Sequence, residues 1–225
     1  MKAVITGDIV KSSYISEPAK LIKSLKLILN EMDQLGIIER RMWEIFRGDS
    51  FQLVTAPEKA LLASLVLRSG LQGGVYRLAP PLIVEDMLNE TMDVRLSIGI
   101  GAVGELSDHL SESYGEAFTI SGKMLEYIAR DELKLLITTT DESLNKHFEV
   151  ICRLTDIIIS DWSENSSQAV YRNLLMDETQ QETAGFLGIS QSSVQNRLKI
   201  AHLDEIHHIL AYFEEQIGAF TASKT

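Results

Sequence analysis

The sequence predicts an α+β domain of strand and helix order βαββαβ, followed by an all-α domain that contains a helix-turn-helix. Short apolar runs rich in β-branched and aromatic residues mark strands at residues 2–10, 43–55 and 93–101. Apolar residues at helical spacing lie between these strands. No strand pattern follows residue 138. We therefore expect two domains, residues 1–140 and residues 141–225.

The first strand is an apolar run that Gly7 and Asp8 interrupt. Burying an unpaired carboxylate costs roughly several kcal/mol, so we expect Asp8 to have a cation, a hydrogen-bond donor or water beside it. An amphipathic helix follows over residues 17–35, with Ser16 as the candidate N-cap.

Residues 43–55 predict a β-hairpin whose turn is Arg47-Gly48-Asp49-Ser50. Asp tolerates turn backbones, so Asp49 taken alone indicates only a turn. The remaining elements are a helix at 57–69, a connector at 71–92 whose residues 82–92 could form a short helix, the strand at 93–101, a helix to about residue 130 and a strand at 133–138.

This order is that of a ferredoxin-like palm, in which the first strand lies antiparallel to the second hairpin strand. Asp8 and Asp49 should therefore face each other at one edge of the sheet. Two neighbouring carboxylates indicate a shared metal ion.

Three motifs in this half resemble class III nucleotide cyclases and, more distantly, diguanylate cyclases: Gly7-Asp8-Ile9, Gly48-Asp49-Ser50-Phe51 and the glycine-rich strand at residues 95–101. The resemblance covers roughly residues 1–138. It implies that Asp8 and Asp49 hold Mg²⁺ or Mn²⁺ against a nucleotide. The nucleotide contacts that it implies come from Ile9, Gly48, Ser50, Thr119 and Lys123.

The palm also departs from these cyclases. Thr119 and Lys123 stand where these cyclases carry Asn and Arg. Lys meets a phosphate as a point charge rather than as a bidentate fork. Ile45 stands where purine-selecting cyclases place Lys. We therefore assign no catalytic residue and expect a ligand-binding or purely structural palm. The alternative is a metal-dependent enzyme acting on nucleoside triphosphates, with the helical domain used for dimerisation.

The strongest pattern in the second half is the helix-turn-helix at residues 179–199. Its two helices flank Gly188, and Ser190 is the N-cap of the second. The apolar or small anchors are Ala184, Leu187, Ile189, Val194 and Leu198. The candidate DNA-contacting residues are Gln191, Ser192, Ser193, Gln195, Asn196, Arg197 and Lys199. Gln and Asn suit adenine, Arg suits guanine, and Ser or Lys suits phosphates. This stretch resembles the helix-turn-helix of bacterial DNA-binding regulators.

The charge of the chain limits this interpretation. The formal net charge is −11, and residues 141–225 hold more than twice as many acidic as basic residues. One recognition helix with two cations should bind DNA weakly, so we expect a homodimer. The helix at 203–220 is either the dimer seam or domain core. An adaptor that binds a basic protein through its acidic helical domain is a third interpretation.

Composition and length are those of a globular protein of 225 residues with 45% hydrophobic residues. No signal-peptide or transmembrane pattern is present, so we expect a cytoplasmic protein that does not insert into a membrane. Cys152 is the only cysteine and should be buried on an apolar helical face with Phe148, Ile151 and Leu154.

Nearly the whole chain resembles the SatD family of bacterial proteins, through residues 6–13, the hairpin at 47–51 and the helix-turn-helix. The resemblance implies a small cytoplasmic regulator. We therefore predict a DNA-binding transcriptional regulator whose palm binds a metal–nucleotide ligand and transmits its occupancy to the helix-turn-helix.

Overall fold

Five strands form one mixed sheet in the computed structural model, which describes residues 1–15, 17–46, 48–78, 92–107, 109–131 and 133–224. The strands are β1 Lys2–Ile9, β2 Trp43–Phe46, β3 Ser50–Thr55, β4 Val94–Gly101 and β5 Leu135–Thr138. Their order across the sheet is β2-β3-β1-β4-β5. All neighbours are antiparallel except β4 and β5, which are parallel.

The α-helices of the described residues begin and end close to the predicted bounds. They are α1 Pro18–Gln34, α2 Ala60–Gly73, α3 Glu116–Ile128, α4 Glu142–Ser160, α5 Glu164–Met176, α6 Gln180–Leu187, α7 Gln191–Ile200 and α8 Leu203–Ala222. The α+β class with a C-terminal helical region is confirmed. Ser16, Arg47 and the connector residues 79–91, predicted as an N-cap, part of a turn and a possible short helix, lie outside the described residues.

The two faces of the sheet bury different sets of side chains because consecutive residues of a strand point to opposite sides. Ala3, Ile5 and Ile9 belong to the main core, which α1 and α2 also enter. Val4 and Val54 belong to a smaller cluster under α3. α1 and α2 thus lie on one face and α3 on the other, and β1 runs between β3 and β4 as the ferredoxin-like order predicts.

Helix α4 covers the edge strand β5 and satisfies its outward backbone donors. The Asp156 carboxylate accepts the N–H of Leu135 at 3.2 Å. The Cys152 sulfur lies against the N–H of Ile137, and the Asn145 side chain accepts the N–H of Thr139 at 2.7 Å. An uncovered edge strand would invite pairing with another chain, so these contacts protect the sheet. Cys152 is fully buried, as predicted, and burial raises the pKa of its thiol.

The outward side of α4 differs from the prediction. Leu154, expected beside Cys152 on the buried face, is 56% exposed. The buried positions are instead Phe148, Cys152, Thr155, Asp156 and Ile159. The buried face is rotated because it must present polar groups to the β5 backbone as well as apolar groups to the core.

Helix α2 is buried on almost every side because it lies between the sheet and α5. The approach of α5 is close: a Cβ at Gly70 would lie 2.8 Å from the Tyr171 ring, and Gln168 Nε2 donates to the Gly73 carbonyl at 2.9 Å. One hydrophobic cluster therefore runs from the palm into the helical region. The division at residue 140 stays a prediction, and the two parts share this core.

A buried charge network also joins the two parts. Arg68 on α2 has no solvent exposure and donates from Nε and Nη2 to the Asp93 carboxylate, each at 3.3 Å. Its Nη1 donates to Asp156 on α4. Lys134 Nζ lies 2.7 Å from Asp93 Oδ2. Two cations thus offset two carboxylates between α2, the start of β4 and α4.

Helices α6 and α7 are joined by a tight turn in which Gly188 has φ 66°. Thr179 and Glu182 form a capping box on α6, and the Ser190 hydroxyl accepts from the Ser193 N–H to cap α7. Val194 and Leu198 anchor α7 in the main core. On α8 the apolar face is buried, so of the two predictions for this helix the structure places it in the core.

None of the helices in the described residues is long and apolar enough to cross a membrane.

Candidate functional site

Half of the α3-side face of the sheet is polar. Cross-strand register places six side chains together at the centre of the sheet, and we call them the polar strip: Thr6, Asp8, Ser50, Gln52, Arg95 and Ser97. Further along the same face the residues become apolar, and α3 covers them. Five of the six side chains are partly exposed and Ser97 is buried, and the partly exposed part of the strip is the candidate ligand site.

Asp8 and Asp49 lie at neighbouring strand ends, as predicted. Asp8 pairs with Ser50 across β1 and β3, and the Ile9 N–H donates to the Asp49 carbonyl at 3.1 Å. Gly48 has φ 84°, a conformation that glycine adopts without strain, so the turn can bring Asp49 to this edge.

The partner of Asp8 is a cation, one of the three partners predicted for it. Arg95 Nε donates to Asp8 Oδ1 and Nη2 donates to Oδ2, both at 2.9 Å. The two residues face each other across β1 and β4. This is a bidentate, half-buried ion pair that occupies both carboxylate oxygens.

Among the described residues, the Asp49 carboxylate accepts hydrogen bonds from hydroxyl groups. The Ser12 hydroxyl donates to Asp49 Oδ2 at 2.6 Å. Ser12 begins a short 3₁₀ turn directly after β1, and Lys11 before it has φ 58°, in the left-handed region that non-glycine residues rarely adopt. Such backbone strain is found often at ligand sites. Each Asp49 oxygen thus accepts from a neutral hydroxyl, with the Ser50 hydroxyl donating to Oδ1 at 3.4 Å, whereas each Asp8 oxygen accepts from Arg95.

Hydrogen bonds connect the strip to α3. Gln52 Nε2 donates to the Thr6 hydroxyl at 3.0 Å, and Thr6 donates to the Ser121 hydroxyl at 2.9 Å. The Ser97 hydroxyl is buried and has no hydrogen-bond partner among the described residues. Ser121 thus fixes the position of α3 over the sheet.

Thr119 and Lys123 lie on either side of Ser121 along α3, and both are exposed. The Thr119 hydroxyl donates to the Gly115 carbonyl at 3.1 Å. Within the described residues neither side chain bonds to Asp8 or Asp49. The structure brings Asp8, Gly48, Asp49 and Ser50 together, whereas the Ile9 side chain is buried in the main core on the other face of the sheet.

The capacity for a metal ion rests on two carboxylates. No group of three or more His, Cys, Asp or Glu side chains suited to a metal ion occurs in the part of the chain that the structure describes. Mg²⁺ is commonly held by one or two carboxylates together with substrate phosphates. The residues therefore fit a metal that arrives with a phosphate ligand better than a free ion.

A second exposed polar surface lies on α7. The seven residues predicted to contact DNA are all on this helix; Arg197 is half-buried, and the other six are exposed: Gln191, Ser192, Ser193, Gln195, Asn196 and Lys199. No Asp or Glu occurs on α7 itself. Its exposed side is polar and lacks negative charge, although the chain as a whole is acidic.

Sequence reasoning assigned no role to Arg95, Ser12 or Ser97. The signal for Arg95 was its place two residues before Ser97 on a strand otherwise composed of apolar residues and glycine, combined with the need of Asp8 for a cation. Ser12 carried no signal, because its contact depends on the turn after β1.

No protein-family model matches the chain, and no curated protein matches it. Among solved structures, the chain is similar to a bacterial light-regulated adenylyl cyclase, with 17% identity and a TM-score of 0.41. The similarity covers 61% of this chain and 42% of that chain.

Proposed function

We propose that the protein is a DNA-binding regulator that contacts DNA through α7 and binds a metal–nucleotide ligand at the polar strip. The observation that carries the DNA proposal is the division of α7 into two faces. Val194 and Leu198 are buried anchors, and every candidate base-reading side chain except half-buried Arg197 is exposed. A helix fixed in this way after a tight turn has the form of a recognition helix.

The small number of charged residues on α7 favours contacts to DNA bases over contacts to DNA phosphates. Arg197 and Lys199 are its cations, and both lie in its last turn. Few phosphate contacts mean a shallow dependence of affinity on salt, whereas Gln195 and Asn196 can each pair bidentately with adenine. We therefore expect modest affinity with a preference for sites that contain A·T pairs.

Asn196→Ala should weaken binding to the preferred DNA site by about 1–3 kcal/mol, because a bidentate contact to adenine is lost. Binding to unrelated DNA should change little. The measurement is fluorescence anisotropy of the full chain with a site selected from a random library. Asn30→Ala removes an exposed Asn from α1 and is the matched control. Equal effects of the two variants, or no selection of any site by the wild type, would remove the DNA proposal.

The ligand proposal follows from the charge arrangement of the polar strip. A metal ion that binds Asp8 competes with Arg95, whose guanidinium donates to both carboxylate oxygens. The released guanidinium then suits a phosphate in bidentate geometry. The metal ion would take the place of Arg95 beside Asp8, and the phosphate would bind the released Arg95. The metal ion and the nucleotide should therefore bind together.

Asp49→Asn should reduce magnesium- or manganese-dependent binding of a nucleoside triphosphate at least about tenfold, because one of two metal carboxylates becomes neutral. Calorimetry with a nucleotide panel tests this, with Asp204→Asn on the exposed start of α8 as the control. Neither the metal alone nor the nucleotide alone should bind as tightly as the pair. Tight binding of nucleotide without metal would contradict the arrangement.

The adjacency of Asp8 and Asp49 also favours a second candidate, a metal-dependent enzyme acting on nucleoside triphosphates. Asp49→Ala would then leave folding intact and abolish turnover. Turnover that persists in this variant, or that is absent from the wild type with manganese, removes the enzyme candidate.

A further inference from the structure

Three large apolar side chains lie exposed in one row on α4. Val150 is 59%, Leu154 56% and Ile157 62% exposed. Their spacing of four and three residues places them on one side of the helix, in the pattern of a helix–helix seam. We call these three residues the α4 stripe.

The α4 stripe differs from the other exposed apolar residues of the described chain. Phe186, for example, lies under the guanidinium of Arg172 at 3.8 Å and so has a covering group. Ile200 is exposed at the end of α7 without apolar neighbours on its own helix face. Scattered residues of this kind are normal on a protein surface, whereas a continuous row marks an interaction surface.

The charges at the two ends of the stripe indicate its occupant. Lys146 and His147 lie one turn before Val150, and Asp161 lies one turn after Ile157; all three are exposed. If two copies of α4 pack antiparallel about an axis near Leu154, Lys146 and His147 of each copy meet Asp161 of the other. Parallel packing would oppose like charges. A surface that is complementary to itself under a two-fold rotation is what an isologous dimer requires.

Helix macrodipoles favour the same direction, since antiparallel neighbours place opposite partial charges side by side. The β5 edge does not compete for the contact, because α4 already satisfies its N–H groups. The stripe therefore faces outward on a helix that is fixed to the sheet from behind.

We propose that the α4 stripe joins two copies of this chain in an antiparallel, two-fold symmetric dimer with Leu154 near the axis. This does not rest on the proposed function, although it would supply the second recognition helix that weak DNA binding calls for. Three apolar residues from each copy bury less surface than the roughly 1,200–2,000 Å² of most stable interfaces, so the dimer should be reversible.

Sedimentation of the full chain over a roughly hundredfold concentration range tests the surface. Wild type should pass from monomer to dimer at about micromolar concentrations, as a small interface allows. Leu154→Glu should raise the dissociation constant at least about tenfold, because it places like charges opposite each other at the axis. Ile200→Glu adds the same charge at an equally exposed apolar residue and should leave the equilibrium unchanged.

Cysteine cross-linking tests the direction of packing. Leu154→Cys should form a disulfide-linked dimer under mild oxidation, because its two copies meet at the axis. Two copies of Lys146→Cys would be separated by about 24 Å along the seam and should cross-link poorly. Wild type is the background control, since Cys152 is fully buried.

Each other outcome overturns the proposal. A wild type that stays monomeric means that the stripe does not join two copies of this chain. A dimer that Leu154→Glu does not weaken uses another surface. Equal cross-linking through positions 146 and 154 means that the packing is not antiparallel.

Discussion

Replacing Arg68 by Met should lower the free energy of unfolding by about 3–5 kcal/mol, the usual effect of removing one partner from a buried ion pair. Arg68 has no solvent exposure, and its guanidinium bonds to both Asp93 and Asp156. Met fills a similar volume, so the loss of stability would come from the missing charge and not from a cavity. Asp93 keeps Lys134, whereas the Asp156 oxygen that met Arg68 loses its donor. Urea unfolding of the full chain measures the difference.

The matched control is Arg153→Met, on the same helix as Asp156. Arg153 also bonds to two carboxylates, those of Asp131 and Glu149, but its side chain is 44% exposed. Water replaces the partners of an exposed ion pair at little cost. Arg153→Met should therefore unfold at nearly the same urea concentration as wild type. If Arg68→Met were equally mild, the buried network would not hold the helical region to the palm.

The pH dependence of stability gives a second readout of the same variant. Burial raises the pKa of Asp93, but attraction to Arg68 and Lys134 outweighs burial and holds the pKa below the ordinary 3.8. A lowered pKa in the folded state stabilises the protein above pH 3.8, and this stability is lost as the pH falls through the folded-state value. Without Arg68 the lowering is smaller, so Arg68→Met should lose this stabilisation at higher pH than wild type.

The order of strands and helices could be predicted because it depends on local periodicity. The covering of α2 by α5 could not be predicted, because residues 60–73 include Ser64, Arg68, Ser69 and Gln72, and polar residues on a helix favour an exposed face. The position of the buried face of α4 could not be predicted either, because hydrophobicity alone favours Leu154 as a buried residue. Asp156 and Asn145 are buried or partly buried because they bond to the β5 backbone, and that requirement appears only once the helix and the strand are adjacent.

Part of the candidate site could be predicted from the sequence, and part could not. The Asp8 and Asp49 positions follow from motif and topology, and the structure brings them together. The Asp8–Arg95 pair depends on register between β1 and β4, which are about ninety residues apart in the chain, and a register shift of one residue would point Arg95 to the other face. Pairing between distant strands cannot be read from one sequence, so the cation that occupies Asp8 had to come from the structure.

Gly99→Ala should destabilise the protein by about 3 kcal/mol, at the upper end of the usual cost of overpacking. A Cβ at this position would lie 2.4 Å from the Ala117 carbonyl oxygen and 2.6 Å from the Ser121 nitrogen. Both are backbone atoms of α3, so no side chain can turn away, and the helix itself must move off β4. Thermal or urea unfolding measures the loss of stability.

Gly122→Ala on α3 is the matched control, because a Cβ there meets nothing within 4 Å. It should stabilise the chain by about 0.5–1 kcal/mol, the usual gain when Ala replaces Gly inside a helix. The effects of the two glycine substitutions on stability should thus have opposite signs. A Gly99→Ala variant at least as stable as wild type would mean that α3 does not lie close enough to β4 to exclude a Cβ.

The local consequence of Gly99→Ala reaches the polar strip. Ser121 bonds to Thr6, so moving α3 away from β4 should break the chain of hydrogen bonds that begins at Gln52. Amide exchange in α3 should then accelerate more than exchange in α1, which lies on the opposite face of the sheet. Nucleotide binding should weaken as well if α3 sets the shape of the strip. If binding is unchanged in a folded Gly99→Ala variant, the ligand contacts only the Asp8 and Asp49 end of the sheet.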